Sequence, residues 1–114
     1  MEQQVADKPL TDEQQHLANE LTHQTILTEE DWENFKSLFE KIYPGFFLNL
    51  KEKARDITIA EQRMAALTRL NLTARQMATM LGISVDSVHK SRQRLRQRLH
   101  LPVEVNLEES VASF

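Results

Sequence analysis

The chain contains no cysteine, two glycines and three prolines among its 114 residues. Without cysteine there is no disulfide framework, no thiolate zinc site and no cysteine nucleophile. No apolar run reaches the roughly 20 residues of a membrane helix. The opening Met1-Glu2-Gln3-Gln4 has neither the basic start nor the apolar core of a signal peptide, so the expectation is a cytoplasmic protein with no membrane partner. There is no glycine-rich phosphate loop and no serine in a nucleophile-elbow context. His16, His23, His89 and His100 show no metal-ligand spacing with one another or with acids. Neither an enzyme nor a metal or cofactor site is expected. The chain also lacks β-branched runs and alternating apolar patterns of strand length, which predicts an all-α fold of one domain's size.

What the sequence has is charge, unevenly placed. The formal net charge is only −3, but residues 1–56 carry six Lys+Arg against twelve Asp+Glu, and residues 57–102 carry eight against two. Residues 103–114 add three acids. Near-neutrality is thus cancellation between acidic flanks and a basic block, the asymmetry that points toward nucleic acid. Aromatic residues are segregated as well: Trp32, Phe35, Phe39, Tyr43, Phe46 and Phe47 fall in one stretch.

Helix signals divide the chain into four parts. In the first, residues 1–27, a helix over 11–26 has Leu17 and Leu21 on a thin apolar stripe that needs a partner surface. The second, residues 28–56, opens with Thr28 as N-cap and Asp31 at the third helical position. Its Trp32, Phe35, Phe39, Ile42 and Tyr43 follow helical spacing, Pro44-Gly45 ends the helix, and a short helix through Phe46, Phe47, Leu50 and Ala54 follows. This aromatic part is expected to serve core packing or dimerisation. The third, residues 57–102, begins with the capping box Thr58-x-x-Glu61, with Met64, Leu67 and Leu70 turned inward. Asn71 suits a left-handed stop, and Thr73-x-x-Gln76 opens a short helix with Met77, Ala78 and Leu81 inward. Gly82 supplies a turn, Ile83 packs, and Ser84 caps a helix over about 85–100. In the fourth, residues 103–114, Asn106-x-x-Glu109 caps a last helix carrying Leu107, Val111 and Phe114.

Two helices joined by a short glycine-containing turn, the second one basic, describe a helix-turn-helix spanning Thr73 to about His100. Within the second helix Val85, Val88, Leu95 and Leu99 share one face and should pack inward. The opposite face presents Asp86, Lys90, Gln93, Arg94 and Gln97, with Ser87, His89, Arg96 and Arg98 flanking. Lys suits guanine acceptors and Gln suits adenine, and recognition helices read bases mainly through their N-terminal part. Lys90, Gln93 and His89 are therefore the candidate base contacts. Thr73, Arg75, Ser87, Arg94, Arg96 and Arg98 are the candidate phosphate contacts. Arg92, at the edge of the apolar face, is expected to pair with Glu61, the nearest available acid by elimination.

Residues 57–101 resemble the LuxR-type helix-turn-helix effector domain, through Thr58-x-x-Glu61, Leu70-Asn71-Leu72-Thr73, Gln76-Met77-Ala78, Leu81-Gly82-Ile83-Ser84 and Ser87-Val88, ending in Leu99. Over about residues 28–114 the chain is similar to the C-terminal region of helical-repeat transcriptional regulators of Bacteroidetes-type bacteria. There a helix like Trp32–Tyr43 and a Pro-x-Phe-Phe-x-x-Leu segment precede the effector domain, and a motif like Ser87-Val88-x-x-x-Arg92-x-Arg94-Leu95-Arg96 follows. The resemblance implies that Ser87, His89, Lys90 and Gln93 face DNA. Asn71 stands where that family usually has Gly, Ile57 replaces the usual Leu, and the common Pro before it is absent; none of these removes a proposed DNA contact.

The expectation is a sequence-specific DNA-binding transcriptional regulator, or its effector fragment, that inserts helix 85–100 into the major groove of double-stranded DNA. A homodimer is expected, with helices 11–26 and 30–43 or the last helix as its surface, and sensing by a partner protein or further domain. The alternative is a dimerisation adaptor or polymerase-contacting domain whose basic helix meets an acidic protein surface.

Overall fold

The computed structural model describes residues 10–114 and, among these, contains seven α-helices. They are α1 (Asp12–Leu21), α2 (Glu29–Ile42), α3 (Phe46–Lys53), α4 (Ile59–Arg69), α5 (Ala74–Leu81), α6 (Val85–Arg98) and α7 (Leu107–Ala112). No strand occurs among the described residues, so the fold is all-α. Residues 1–9 of the expected N-terminal part lie outside them.

The capping grammar positions these helices. Thr11, Thr28, Thr58 and Thr73 each accept the N–H of the third helical residue, whose side chain reaches back to the cap, forming four reciprocal capping boxes. Ser84 and Asn106 cap α6 and α7 by accepting from Ser87 N and Glu109 N. Three stops use left-handed residues: Asn71 (φ 61°), Gly82 (φ 68°) and His100 (φ 56°). At the last, Leu101 N–H bonds Arg96 O and His100 N–H bonds Gln97 O, the paired closure of a Schellman stop. The chain therefore turns at His100, two residues before Pro102.

Helix α1 ends at Leu21, five residues short of the expected boundary. Thr22 Oγ1 and His23 Nδ1 both bond the Asn19 carbonyl, at 2.7 and 2.9 Å, and offer the backbone a local alternative to helix. The released segment is drawn onto α5 instead: Ile26 is buried, and its N–H donates to Met80 O at 2.8 Å. The thin stripe of α1 finds its partner surface on α2, burying Ala18 and Leu21.

The aromatic stretch is core. Phe35 and Phe39 are fully buried, Trp32, Phe46 and Phe47 nearly so, and their rings stack or meet edge-on at centroid distances of 5.1–6.0 Å. Truncating a ring such as Phe39 to alanine costs about 3–5 kcal/mol by cavity formation. Phe114 closes this cluster against Phe46, and its carbonyl accepts from Asn49 Nδ2 at 2.9 Å, seating the C-terminus on α3. Helix α4 is the central element, with Met64 to Thr68 all buried while Leu70 is only half-buried. It packs against α6 and α7, and α5 packs against α6.

The basic block is tied to the aromatic part by its own cations. The Arg63 guanidinium lies 5.4 Å from the Trp32 ring, and that of Arg69 lies 4.2 Å from the Tyr43 ring. Leu21, Trp32, Phe35, Phe39, Leu107 and Val111 are all buried within the chain, so the apolar faces of α1, α2 and α7 pack against its own core.

Candidate nucleic-acid interface

Helix α6 is set by its buried stripe. Val88 and Leu95 are fully buried, and Leu99 caps the same face. Val85 does not join them: it opens the helix one turn before the stripe begins and is 40% exposed, and Ile83, expected to pack, is 38% exposed. On α5 the inward set is Met77, Ala78 and Met80, with Leu81 half-buried. Gly82 joins the two helices, and a Cβ added there would lie 2.8 Å from Leu27 Cδ2. The α1–α2 connection thus leans on the turn itself.

Opposite the buried stripe, Asp86, His89, Lys90, Gln93, Arg94 and Gln97 are exposed at helical spacing, forming one continuous polar face. Lys90 Nζ lies 3.3 Å from Asp86 Oδ2, an exposed i, i+4 pair of small energetic weight. His89 and Gln93 border an open groove of about 530 Å³ between α6 and the segment 103–108. Arg94 and Gln97 border a second, of about 320 Å³, on the other flank. Thr73 is exposed, and as its Oγ1 accepts from Gln76 N, the hydroxyl proton remains available. Arg75 is exposed in the first turn of α5. Ser87 is half-buried, and its Oγ accepts from the Ser84 hydroxyl at 3.0 Å.

Three arginines make bonds within the fold, and for Arg92 they correct the expected partner. Arg98 donates Nε to Glu61 Oε1 at 2.8 Å and Nη1 to Asp56 Oδ2 at 2.9 Å, joining the end of α6 to the start of α4. Arg96 donates to Val105 O and Pro102 O, both at 2.7 Å, clamping the loop after α6. Arg92 does not pair with Glu61; its Nη2 bonds Glu108 of α7 and its Nη1 lies 3.4 Å from Thr68 Oγ1. Glu61 is indeed in an ion pair, but with the arginine nearly two turns further along α6, whose side chain points toward the N-terminus of α4.

The electrostatics follow from these contacts. Burial pushes the Glu61 carboxyl up, and the hydrogen bonds it accepts from Arg98 and from the Thr58 amide together outweigh it, so the group sits below the ordinary glutamate value. Glu108 follows the same balance, raised by burial and lowered further by Arg92. Arg98 is held more firmly protonated, chiefly by its bond to Glu61. Of the eight cations of residues 57–102, Arg63 and Arg69 lie over aromatic rings and Arg92, Arg96 and Arg98 are held in the fold. The side chains of Arg75 and Arg94 have no ion-pair or hydrogen-bond partner among the described residues, and that of Lys90 has only its exposed pair with Asp86.

Sequence reasoning missed Glu108, Asp56 and Thr68 as partners. All three lie on other elements, at separations of 16 to 42 residues, where helical periodicity carries no signal. Among the described residues no group of three or more His, Cys, Asp or Glu could hold a metal, and no helix is long and apolar enough to cross a membrane. No family model, curated protein or solved structure matches the chain.

Proposed function

We propose that the protein binds double-stranded DNA as a sequence-specific transcriptional regulator, or as the effector part of one, through insertion of α6 into the major groove. The observation that carries this reading is the pair α5–α6. A left-handed glycine joins two packed helices, and the second offers Lys90, Gln93 and Arg94 to solvent beside His89. Of the motifs that resemble a LuxR-type effector domain, Gln76-Met77-Ala78, Leu81-Gly82-Ile83-Ser84 and Ser87-Val88 fall on these same elements and support the reading further.

In this mechanism Lys90 donates to guanine acceptors and Gln93 to adenine, with His89 on the same flank. Arg94, Arg75 and the Thr73 hydroxyl meet phosphate oxygens, and the N-terminus of α5 adds its favourable dipole. Arg96 and Arg98 act indirectly, by holding the end of α6 and its following loop. Two copies on half-sites about one helical turn apart provide the affinity that a single module lacks. Such pairing uses surface other than the apolar faces of α1, α2 and α7.

The test is fluorescence anisotropy with random-sequence duplex and with a site obtained by in-vitro selection. Lys90→Ala and Gln93→Ala should each cost about 1–3 kcal/mol at the selected site and little on random duplex, whereas Arg94→Ala weakens both alike. A protein-only adaptor leaves the duplex unbound at low salt, and that outcome overturns the reading.

A further inference from the structure

Asp86 is the residue of the exposed α6 face that phosphate binding does not explain. It is the only acid of Val85–Arg98, it occupies the first turn, and its side chain is 77% exposed. An acid there is mildly favoured by the helix dipole, but Ser84 already caps the helix through Ser87 N. At the leading end of a helix that approaches a polyanion, a carboxylate weakens attraction to every phosphate.

Its chemistry selects a base edge instead. A carboxylate only accepts, and in the major groove the donors that fit it are the cytosine N4 and adenine N6 amines, of which only cytosine is paired with the guanine that suits Lys90. Guanine offers only acceptors there, and thymine an acceptor and a methyl group, so both are rejected. Lys90 is the converse, a donor suited to guanine O6 and N7. The two groups stand 3.3 Å apart on the same face. A C·G pair presents its amine and its acceptors side by side, matching that carboxylate and ammonium in one edge.

We propose that Asp86 and Lys90 act as a unit that reads a single C·G pair in each half-site, with Asp86 the specificity determinant. This rests on the DNA-binding reading above. Where the contact forms, Asp86 accepts from cytosine N4, Lys90 donates to the paired guanine, and the mutual ion pair orients both before binding.

Selection from a randomised duplex pool with the wild-type chain, Asp86→Ala and Asp86→Asn tests this directly. The wild-type pool should fix one C·G pair, and replacing it by T·A should cost the wild type about 5- to 150-fold in affinity and Asp86→Ala several-fold less, the remainder being the contact of Lys90 with guanine. Asp86→Asn should shift the preference at that position toward A·T, as an asparagine amide suits adenine. Lys90→Ala should relax the same position and no other. Because Asp86 is exposed, melting temperatures of these variants should stay within a few degrees of wild type. Identical preferences at every position in all pools, with or without a uniform change in affinity, overturn the proposal, since a general effect on phosphate attraction would do just that. A wild-type chain that enriches no sequence overturns the DNA-binding reading itself.

Discussion

Arg98 Nε donates to Glu61 Oε1 at 2.8 Å, and that oxygen also accepts the Thr58 N–H at 3.1 Å. One carboxylate therefore completes the cap of α4 and anchors the end of α6. The C-terminal end of α6 is anchored at this joint, about one to two and a half turns from Arg94, Gln93, Lys90 and His89. Glu61→Gln preserves the capping box, which accepts either residue, and removes the charge that Arg98 faces. It should lower stability by about 1–2 kcal/mol in urea denaturation. A double-mutant cycle of Glu61 with Arg98 should show coupling, while the cycle of Glu61 with Arg92 should be additive. Coupling to Arg92 instead would contradict the observed pairing.

Glu61 and Glu108 both sit below the ordinary glutamate value near 4.5 in the folded chain. The unfolded chain therefore binds protons first as pH falls, and folding stability declines from about pH 5 downward through the depressed folded values. Above that window the contribution of both groups is fully present. Urea midpoints measured between pH 3 and 7 should show this acid loss in the wild type and a flatter profile in a Glu61→Gln, Glu108→Gln double variant. Equal slopes in the two proteins would remove these carboxylates as its source.

Gly82 has φ 68°, and a methyl group added there meets Leu27 Cδ2 at 2.8 Å. Gly82→Ala should cost about 1–2 kcal/mol from the left-handed backbone alone, with a further loss from the contact. Leu27→Ala in the same chain should recover the second part and leave the first. Full additivity of the two substitutions would show that Leu27 yields freely and does not brace the turn.

Much of this arrangement was legible in the sequence because it is written locally. The cap residues Thr28, Thr58, Thr73, Ser84 and Asn106, and the stops at Asn71 and Gly82, depend on neighbours within a few residues, and each occurs where its spacing predicts. The inward stripe of Val88, Leu95 and Leu99 is a matter of period. Long-range choices were not legible. Periodicity places Arg92, Arg96 and Arg98 around one helix but does not tell which of them meets Glu61, Glu108 or the carbonyls after Pro102. The end of α1 was misread for a similar reason: Ile26 leaves the helix to bond Met80, more than fifty residues away. Helical period puts Val85 on the face of Val88, and apolar character suggests that Ile83 packs, but on α6 the buried stripe begins only at Val88.

In the proposed mode of binding, α6 meets DNA through few cations, because most of the basic block is held inside the fold. The decisive measurement is the salt dependence of affinity for duplex DNA. With Arg75 and Arg94 as the phosphate-contacting cations, log K should fall against log salt with a slope of about −1.8 per protomer. Arg75→Ala or Arg94→Ala should each reduce that slope by about 0.9, while Arg98→Ala should leave it unchanged in folded protein and lower the melting temperature. A slope near zero, or one that Arg98→Ala reduces as Arg94→Ala does, would contradict the account.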